Sequence, residues 1–161
     1  MRIRTFPKDY FDSVMIQANI TADNVTSQPR CFISINDTCG TDEKPYFKEN
    51  TENVLVLFFD DIDNDLYIKN DTNGKEMWHR AMTEEQAKEI IRFIDKNKDK
   101  MECIIHCGAG VRRSGSVAKF INKYLDLPWS KFHEDNRHIL PRESIIKTLE
   151  SCTQKDFGII K

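Results

Sequence analysis

The sequence predicts a single-domain α/β fold over residues 1–161, with a mostly parallel sheet of four to five strands flanked by helices. Three observations favour this class. Short apolar runs alternate with amphipathic segments along the chain. Several apolar runs are uninterrupted, as in strands that are covered on both faces. The length of 161 residues is typical of one domain and sufficient for a core without metal or disulfide support.

The elements follow in chain order from local patterns. They are a strand at 2–6, a helix at 9–17, strands at 31–35 and 53–59, a helix at 83–98, a strand at 102–106, and helices at 114–125 and 142–152.

The first half contains three of these strands. The strand at 2–6 is short and partly charged, which suits a sheet edge, and Pro7 suits the first position of the helix that follows. Residues 31–35 form a buried strand. The NVLVLFF run at 53–59 gives the strongest signal for a central strand, because it is β-branched, aromatic and uninterrupted. The segments 18–30 and 36–53, which includes Gly40, are polar and predict loops.

The second half begins with a mixed stretch at 66–82, where Asn73–Gly74 predicts a turn. Thr83 and Gln86 have the spacing of a capping box. The next helix places Ala87, Ile90, Ile91 and Ile94 on one apolar face and ends in solvent at 96–100.

The strand at 102–106 enters a glycine-rich turn at 107–113, and the next helix has Val117, Phe120, Ile121 and Tyr124 on its inner face. Pro128–Trp129 breaks the chain before the last helix.

Composition excludes several classes of protein. The net charge of −2 argues against a generally basic nucleic-acid binder. No apolar run has the roughly 18 residues of a membrane span, and the charged N-terminus does not resemble a signal peptide. The five cysteines, without a C-x-x-C pair, favour neither a disulfide framework nor a zinc ribbon. A cytoplasmic protein is therefore expected.

The chemistry is concentrated in HCGAGVRRSG at 106–115. A tight turn between a buried strand and a helix directs backbone N–H groups inward, and the helix N-terminus adds positive charge, so this loop can cradle a phosphate-sized anion. Gly110 suits a close approach or a positive φ. The same N–H groups favour the thiolate form of Cys107, and the Ser114 hydroxyl can donate to it.

This segment resembles the signature of the cysteine-dependent protein tyrosine phosphatases, HC-x-x-G-x-x-R-[ST]. Every defining position is present from His106 to Ser114, and a chance match is on the order of one in 10⁵. The order of elements over 53–125 is similar too. The short chain is similar to the compact dual-specificity branch, especially small microbial and phage-type phosphatases, with ISI at 33–35 and FDDID at 59–63.

The resemblance implies a phosphatase with a phosphocysteine intermediate on Cys107 and no metal or other cofactor. Arg113 would bind the phosphoryl oxygens, Ser114 would stabilise the thiolate, and His106 would hold the loop and tune Cys107. The loop residues expected to contact phosphate are Gly108, Ala109, Gly110, Val111, Arg112 and Arg113. Arg112 is otherwise interpreted as a solvated neighbour of Arg113.

The general acid is expected in the acidic run after Phe59. No Trp-Pro-Asp motif identifies the acid. Asp61 is preferred, because the strand is expected to end at Asp60 and the FxDID pattern points to the second Asp; Asp63 is the second candidate and Asp60 the third. The separation of 46 residues between Asp61 and Cys107 (107 − 61) is longer than is usual in compact members of the family that the chain resembles. This difference indicates an insertion near 66–80.

The expected substrates are phosphorylated proteins or small phosphomonoesters, with nucleic acid and membranes disfavoured. The alternatives are an RNA 5′-phosphate, a nucleotide or an inositol phosphate, a silent phospho-binding module, and an arsenate reductase or sulfurtransferase. The neutral loop side chains lack the lysines of inositide-specific relatives.

Several other residues carry open alternatives. Cys103 is interpreted as a packed strand cysteine, with a disulfide to Cys107 as the alternative. The acids Asp60, Asp63 and Asp65 are more simply a solvated turn than a metal site. The segment 136–138 could reach the phosphate, and 78–80 could form a lid.

Overall fold

The computed structural model describes residues 1–39, 44–69 and 74–156, with side-chain surroundings described up to residue 153. Gly40 and Asn73 lie outside the described residues, whereas Gly74 has a φ of 66°. None of the helices in these ranges combines the length and the apolar character that crossing a membrane requires.

Six strands are present among the described residues. They are β1 (Arg2–Pro7), β2 (Arg30–Asn36), β3 (Val54–Phe58), β4 (Leu66–Lys69), β5 (Glu76–His79) and β6 (Glu102–Cys107). Four of them form a wholly parallel sheet in the order β1-β6-β2-β3, which confirms the predicted α/β class.

Five helices accompany the strands in the described part of the chain. They are α1 (Lys8–Gln17), α2 (Glu84–Asn97), α3 (Arg113–Tyr124), α4 (Trp129–Asp135) and α5 (Glu143–Asp156). The predicted capping box begins α2: Gln86 N–H donates to the Thr83 hydroxyl at 3.1 Å, and Thr83 N–H donates to the Gln86 side chain at 3.0 Å. Pro7 precedes α1 as its N-cap and ends β1.

The sheet separates two apolar layers because side chains alternate along each strand. Ile33 and Ile105 point to the side covered by α2, α3 and α5, where Leu149 is fully buried. Phe32 and Ile104 point to the opposite side, against Phe11 of α1. The predicted inner face of α2 is buried in the first layer.

The prediction that 53–59 forms a central strand is wrong in position. β3 lies at the edge of the four-stranded sheet, and β6 and β2 occupy the centre. An apolar run reports that a strand is covered on its faces, which is true of Val54, Leu55 and Leu57, but it carries no information about hydrogen-bonding neighbours. Phe58, which is 48% exposed, fits the edge position.

Four short elements were not predicted, namely β4, β5, α4 and a 3₁₀ helix at Val25–Ser27 in a segment predicted as a loop. β4 and β5 form an antiparallel hairpin separate from the main sheet, in the segment where an insertion was expected. Most of their side chains are exposed, so these segments lack the alternation of apolar and polar residues that predicts a strand. Helix α4 follows Pro128 directly and buries only Phe132, which is too little for a helical period.

Candidate active site

The signature loop lies at the carboxyl edge of the parallel sheet. Cys107 ends β6 between β1 and β2, and α3 begins six residues later at Arg113. Two backbone hydrogen bonds fasten the loop to its neighbours: Lys8 N–H donates to the Gly108 carbonyl at 3.1 Å, and Leu140 N–H donates to the Val111 carbonyl at 3.1 Å. The start of α1 and the segment before α5 therefore hold this turn from two sides.

The Cys107 thiol group occupies the centre of the turn. Its Sγ accepts a hydrogen bond from Gly110 N–H at 3.2 Å and lies 3.2 Å from Ser114 Oγ. Cys107 is 2% exposed and Ser114 is fully buried. Both contacts favour negative charge on sulfur, because an N–H dipole and a hydroxyl can each donate to a thiolate.

Gly110 makes this geometry possible. Its φ is 71°, and a Cβ there would lie 2.4 Å from the Phe6 carbonyl carbon and from Pro7 N. The sequence prediction of a close approach or a positive φ is confirmed on both counts.

The Arg113 guanidinium is buried beside the turn. It donates to the Phe59 carbonyl at 2.9 Å and pairs with Asp37 at 2.7 Å. Sequence reasoning missed Asp37. A signal was available, because Asp37 directly follows β2 and the carboxyl ends of neighbouring parallel strands meet at one edge of a sheet.

His106 supports the loop from the other face of β6. Its Nε2 lies 2.7 Å from Ser34 Oγ of β2, and its ring lies against Phe11 with centroids 4.3 Å apart. Burial lowers the pKa of His106 to about 4, so the imidazole is neutral at ordinary pH. Its surroundings are those of a positioning residue.

Asp61 is joined to the signature loop through an arginine. Its Oδ2 forms an ion pair with Arg112 Nε at 2.9 Å, and its Oδ1 accepts a hydrogen bond from Arg142 Nε at 2.6 Å. Arg112 is exposed, as expected of a solvated neighbour of Arg113, and it also forms an ion pair with Asp61, which the sequence did not predict. Arg142, just before α5, was not predicted and has no motif that would have revealed it.

Asp63 lies on the outer side of the same arginine. Its Oδ1 accepts from Ser144 Oγ at 2.6 Å and from Arg142 Nη1 at 2.8 Å. The hydrogen bonds from Ser144 and then Arg142 hold the pKa of Asp63 below its ordinary value.

Asp60 has a structural environment. It is 7% exposed and accepts hydrogen bonds from Thr38 N–H, the Thr38 hydroxyl and Arg80 N–H. These contacts fasten the end of β3 to the loop after β2 and to the end of the hairpin. A carboxylate held by three donors is poorly placed to exchange protons with a substrate.

Three solved structures share this architecture. A human tyrosine phosphatase-like serine/threonine/tyrosine-interacting protein matches with a TM-score of 0.52 and 15% identity, over 97% of this chain and 93% of that chain. PTPMT1 in complex with PI(5)P matches with a TM-score of 0.51 and 15% identity, over 98% and 93%. A second PTPMT1 structure matches with a TM-score of 0.50 and 13% identity, over 98% and 92%.

The chain has a cysteine phosphatase-like fold. No family model matches the sequence, and no curated protein matches it. The structural likeness extends over almost the whole chain, whereas the sequence resemblance is specific only over 53–125.

Within this phosphatase-like fold, Cys103 cannot form the disulfide with Cys107 that the sequence left open. Both residues lie in β6, four positions apart, so their Cα atoms are about 13 Å apart, well beyond the roughly 7 Å limit for a disulfide. Two causes raise the pKa of Cys103 well above its ordinary value: the larger is a hydrogen bond with Cys31, and the second is burial. Cys103 is a packed thiol, as the preferred interpretation held.

The segments 136–138 and 78–80, which the sequence singled out, both contact neighbouring parts of the structure. Asn136 is 2% exposed; its side-chain oxygen accepts from Thr5 N–H, and its amide donates to the Ile3 carbonyl. These contacts join the end of α4 to β1. In the hairpin, the Arg80 guanidinium stacks over the Trp78 ring and pairs with Asp65.

Proposed function

We propose that this protein is a phosphomonoesterase that works through a phosphocysteine on Cys107, with phosphorylated proteins as its substrates. One observation carries the proposal. The buried Cys107 sulfur lies at the centre of a turn, within 3.2 Å of both Gly110 N–H and Ser114 Oγ. This is the arrangement that a thiolate nucleophile in a phosphate cradle requires.

In the first step the Cys107 thiolate attacks phosphorus, and the bond from phosphorus to the substrate oxygen breaks. The loop N–H groups and the Arg113 guanidinium stabilise the charge on the phosphoryl oxygens. Asp37 and the Phe59 carbonyl hold the guanidinium in place. Asp61 gives a proton to the leaving oxygen, so an alcohol or phenol departs.

In the second step a water molecule attacks phosphorus while Asp61 takes one of its protons. The bond between sulfur and phosphorus breaks, inorganic phosphate forms, and Cys107 leaves as a thiolate. Ser114 stabilises this leaving group through its hydroxyl. Asp61 is the proposed acid because it lies beside the signature loop, in contact with Arg112, and is partly exposed, whereas Asp60 is buried and held by three donors. To donate a proton, Asp61 has to leave its ion pairs with Arg112 and Arg142.

A phosphoinositide is the second candidate substrate, because one structural neighbour was solved with PI(5)P. The signature loop weighs against it. Gly108, Ala109 and Val111 have no charge with which to bind additional ring phosphates. The arginines near Asp61 are already paired with carboxylates.

Turnover of para-nitrophenyl phosphate by the reduced parent in EDTA tests the proposal, with Cys107→Ser as the variant. We expect the parent to hydrolyse the ester and the variant to lose the activity, because serine at this position lacks an ionised nucleophile. Cys152→Ser, which changes a buried cysteine on α5, is the matched control and should keep the activity. Equal activity in the parent and in Cys107→Ser would overturn the mechanism.

The same preparations separate the substrate classes. A phosphotyrosyl peptide should be hydrolysed with a higher kcat/KM than PI(5)P. The reverse order would favour the phosphoinositide. Binding of the peptide with no turnover of any ester would indicate a silent phospho-binding module.

A further inference from the structure

Three side chains that commonly bind metals converge beside the candidate active site. Cys39 follows β2, Asp60 follows β3, and His79 ends β5. One donor atom from each lies within 4.8 Å of the other two. They are 21 and 19 residues apart in sequence (60 − 39 and 79 − 60), so no motif could have revealed them.

Two of the three donor–donor distances are close to those in a tetrahedral zinc site. His79 Nδ1 lies 3.6 Å from Cys39 Sγ and 3.6 Å from Asp60 Oδ2. Donors bound to one Zn²⁺ at about 2.0–2.3 Å are separated by about 3.3–3.7 Å in a tetrahedron. Cys39 Sγ also lies 3.9 Å from Nε2, so the imidazole has to rotate before Nδ1 points at an ion that it shares with the sulfur.

The surroundings orient the carboxylate as an outer shell orients a metal ligand. Asp60 Oδ1 accepts from Thr38 N–H, and Oδ2, the oxygen 3.6 Å from His79 Nδ1, accepts from the Thr38 hydroxyl and Arg80 N–H. A cation at Oδ2 therefore takes the place of the Thr38 hydroxyl. The Thr38 hydroxyl has a second acceptor 3.5 Å away, the Trp78 carbonyl. Cys39 and His79 are partly exposed, so water can supply the fourth ligand.

We propose that Cys39, Asp60 and His79 bind one divalent transition-metal ion of the Zn²⁺ type. One sulfur, one nitrogen and one oxygen donor suit Zn²⁺ or Co²⁺ and do not suit Mg²⁺ or Ca²⁺, which prefer oxygen donors. Binding converts the Cys39 thiol into a thiolate and releases its proton to solvent.

Such an ion would act as a clamp. It would connect the loop after β2, the end of β3 and the β4–β5 hairpin, which otherwise forms a separate two-stranded sheet. The site lies two residues from Asp37 and one residue from Asp61 in sequence. The proposal concerns structure beside the catalytic loop and does not depend on the proposed function.

Cobalt titration tests the site in the full chain. The Cys107→Ser protein is the starting point, because it removes the thiol of the signature loop as a competing ligand. Co²⁺ should bind in a 1:1 ratio and produce thiolate charge-transfer absorption in the near ultraviolet, which Zn²⁺ then displaces. Adding Cys39→Ser should abolish that absorption, and adding His79→Ala should weaken binding by at least about 10-fold. His133→Ala, on the exposed side of α4, should leave the titration unchanged.

A second measurement does not require a change at the site. In the Cys107→Ser protein, Zn²⁺ should slow alkylation of Cys39, as located by peptide mass spectrometry. Absence of stoichiometric Co²⁺ or Zn²⁺ binding, charge-transfer absorption that persists in Cys39→Ser, or an unchanged alkylation rate would each overturn the proposal.

Discussion

At the scale of single residues, Gly110 fixes the position of the Cys107 sulfur. Its N–H donates to Cys107 Sγ, and its Cα lies against the junction between β1 and α1. Two separate constraints act there, a positive φ and a lack of space for a Cβ. Gly74 shares only the first constraint, because its φ is 66° and a Cβ there would have no neighbouring atom within 4 Å.

Gly110→Ala and Gly74→Ala therefore form a matched pair. Both changes force alanine into a left-handed backbone, which costs about 1–2 kcal/mol each. Gly110→Ala should lower the free energy of unfolding by about 1–3 kcal/mol more, because the added methyl group has to displace Phe6 and Pro7. Urea unfolding measures this difference. Equal losses of unfolding free energy in the two variants would contradict a close approach of Gly110 to the backbone of Phe6 and Pro7.

Asp61 carries the second prediction at this scale. Asp61→Asn should lower kcat for para-nitrophenyl phosphate by about 10²-fold or more and remove the basic limb of the pH profile, because an amide cannot donate the proton. Asp63→Asn should keep that limb. Loss of the limb in Asp63→Asn with retention in Asp61→Asn would reassign the acid to Asp63.

At the scale of elements, sequence predicts what is buried or capped and misses what is exposed. Thr83 and Gln86 specified the start of α2, because both partners of a capping box are visible in the sequence. The exposed strands β4 and β5 gave no such pattern. The burial pattern also gave one wrong prediction. The apolar run of β3 predicted a central strand, whereas β6 and β2 occupy the centre of the sheet.

The same limit applies to the candidate site. The loop from His106 to Ser114 could be predicted, because its residues are contiguous and its spacing is rigid. Asp37 and Arg142 lie on other elements and reach the site only through the topology of the sheet. A contact between distant segments leaves no local pattern, so sequence reasoning alone could not place them.

At the scale of the whole molecule, stability is coupled to the support of the signature loop through His106. Its pKa is about 4 in the folded protein and about 6.5 in an unfolded chain. The unfolded state therefore binds more protons between these values, so stability falls as pH decreases through this window. The contribution of His106 to the free energy of unfolding should fall by about 2 kcal/mol between pH 7 and pH 5.

His106→Asn tests this coupling. The variant should show a weaker loss of stability between pH 7 and pH 5 than the parent, in urea titrations at both pH values. His133→Asn changes an exposed histidine on α4 and should retain the dependence of the parent. Parallel pH dependence in the parent and His106→Asn would contradict a buried neutral imidazole.

The four parallel strands deliver Pro7, Asp37, Phe59 and Cys107 to one edge of the sheet, and the account of function rests on what Cys107 does there. The most direct test is to trap the intermediate. Acid quench of Asp61→Asn during turnover of para-nitrophenyl phosphate, followed by peptide mass spectrometry, should find one added phosphoryl group on Cys107. Turnover with no phosphate on that residue, or phosphate on another residue, would contradict the account.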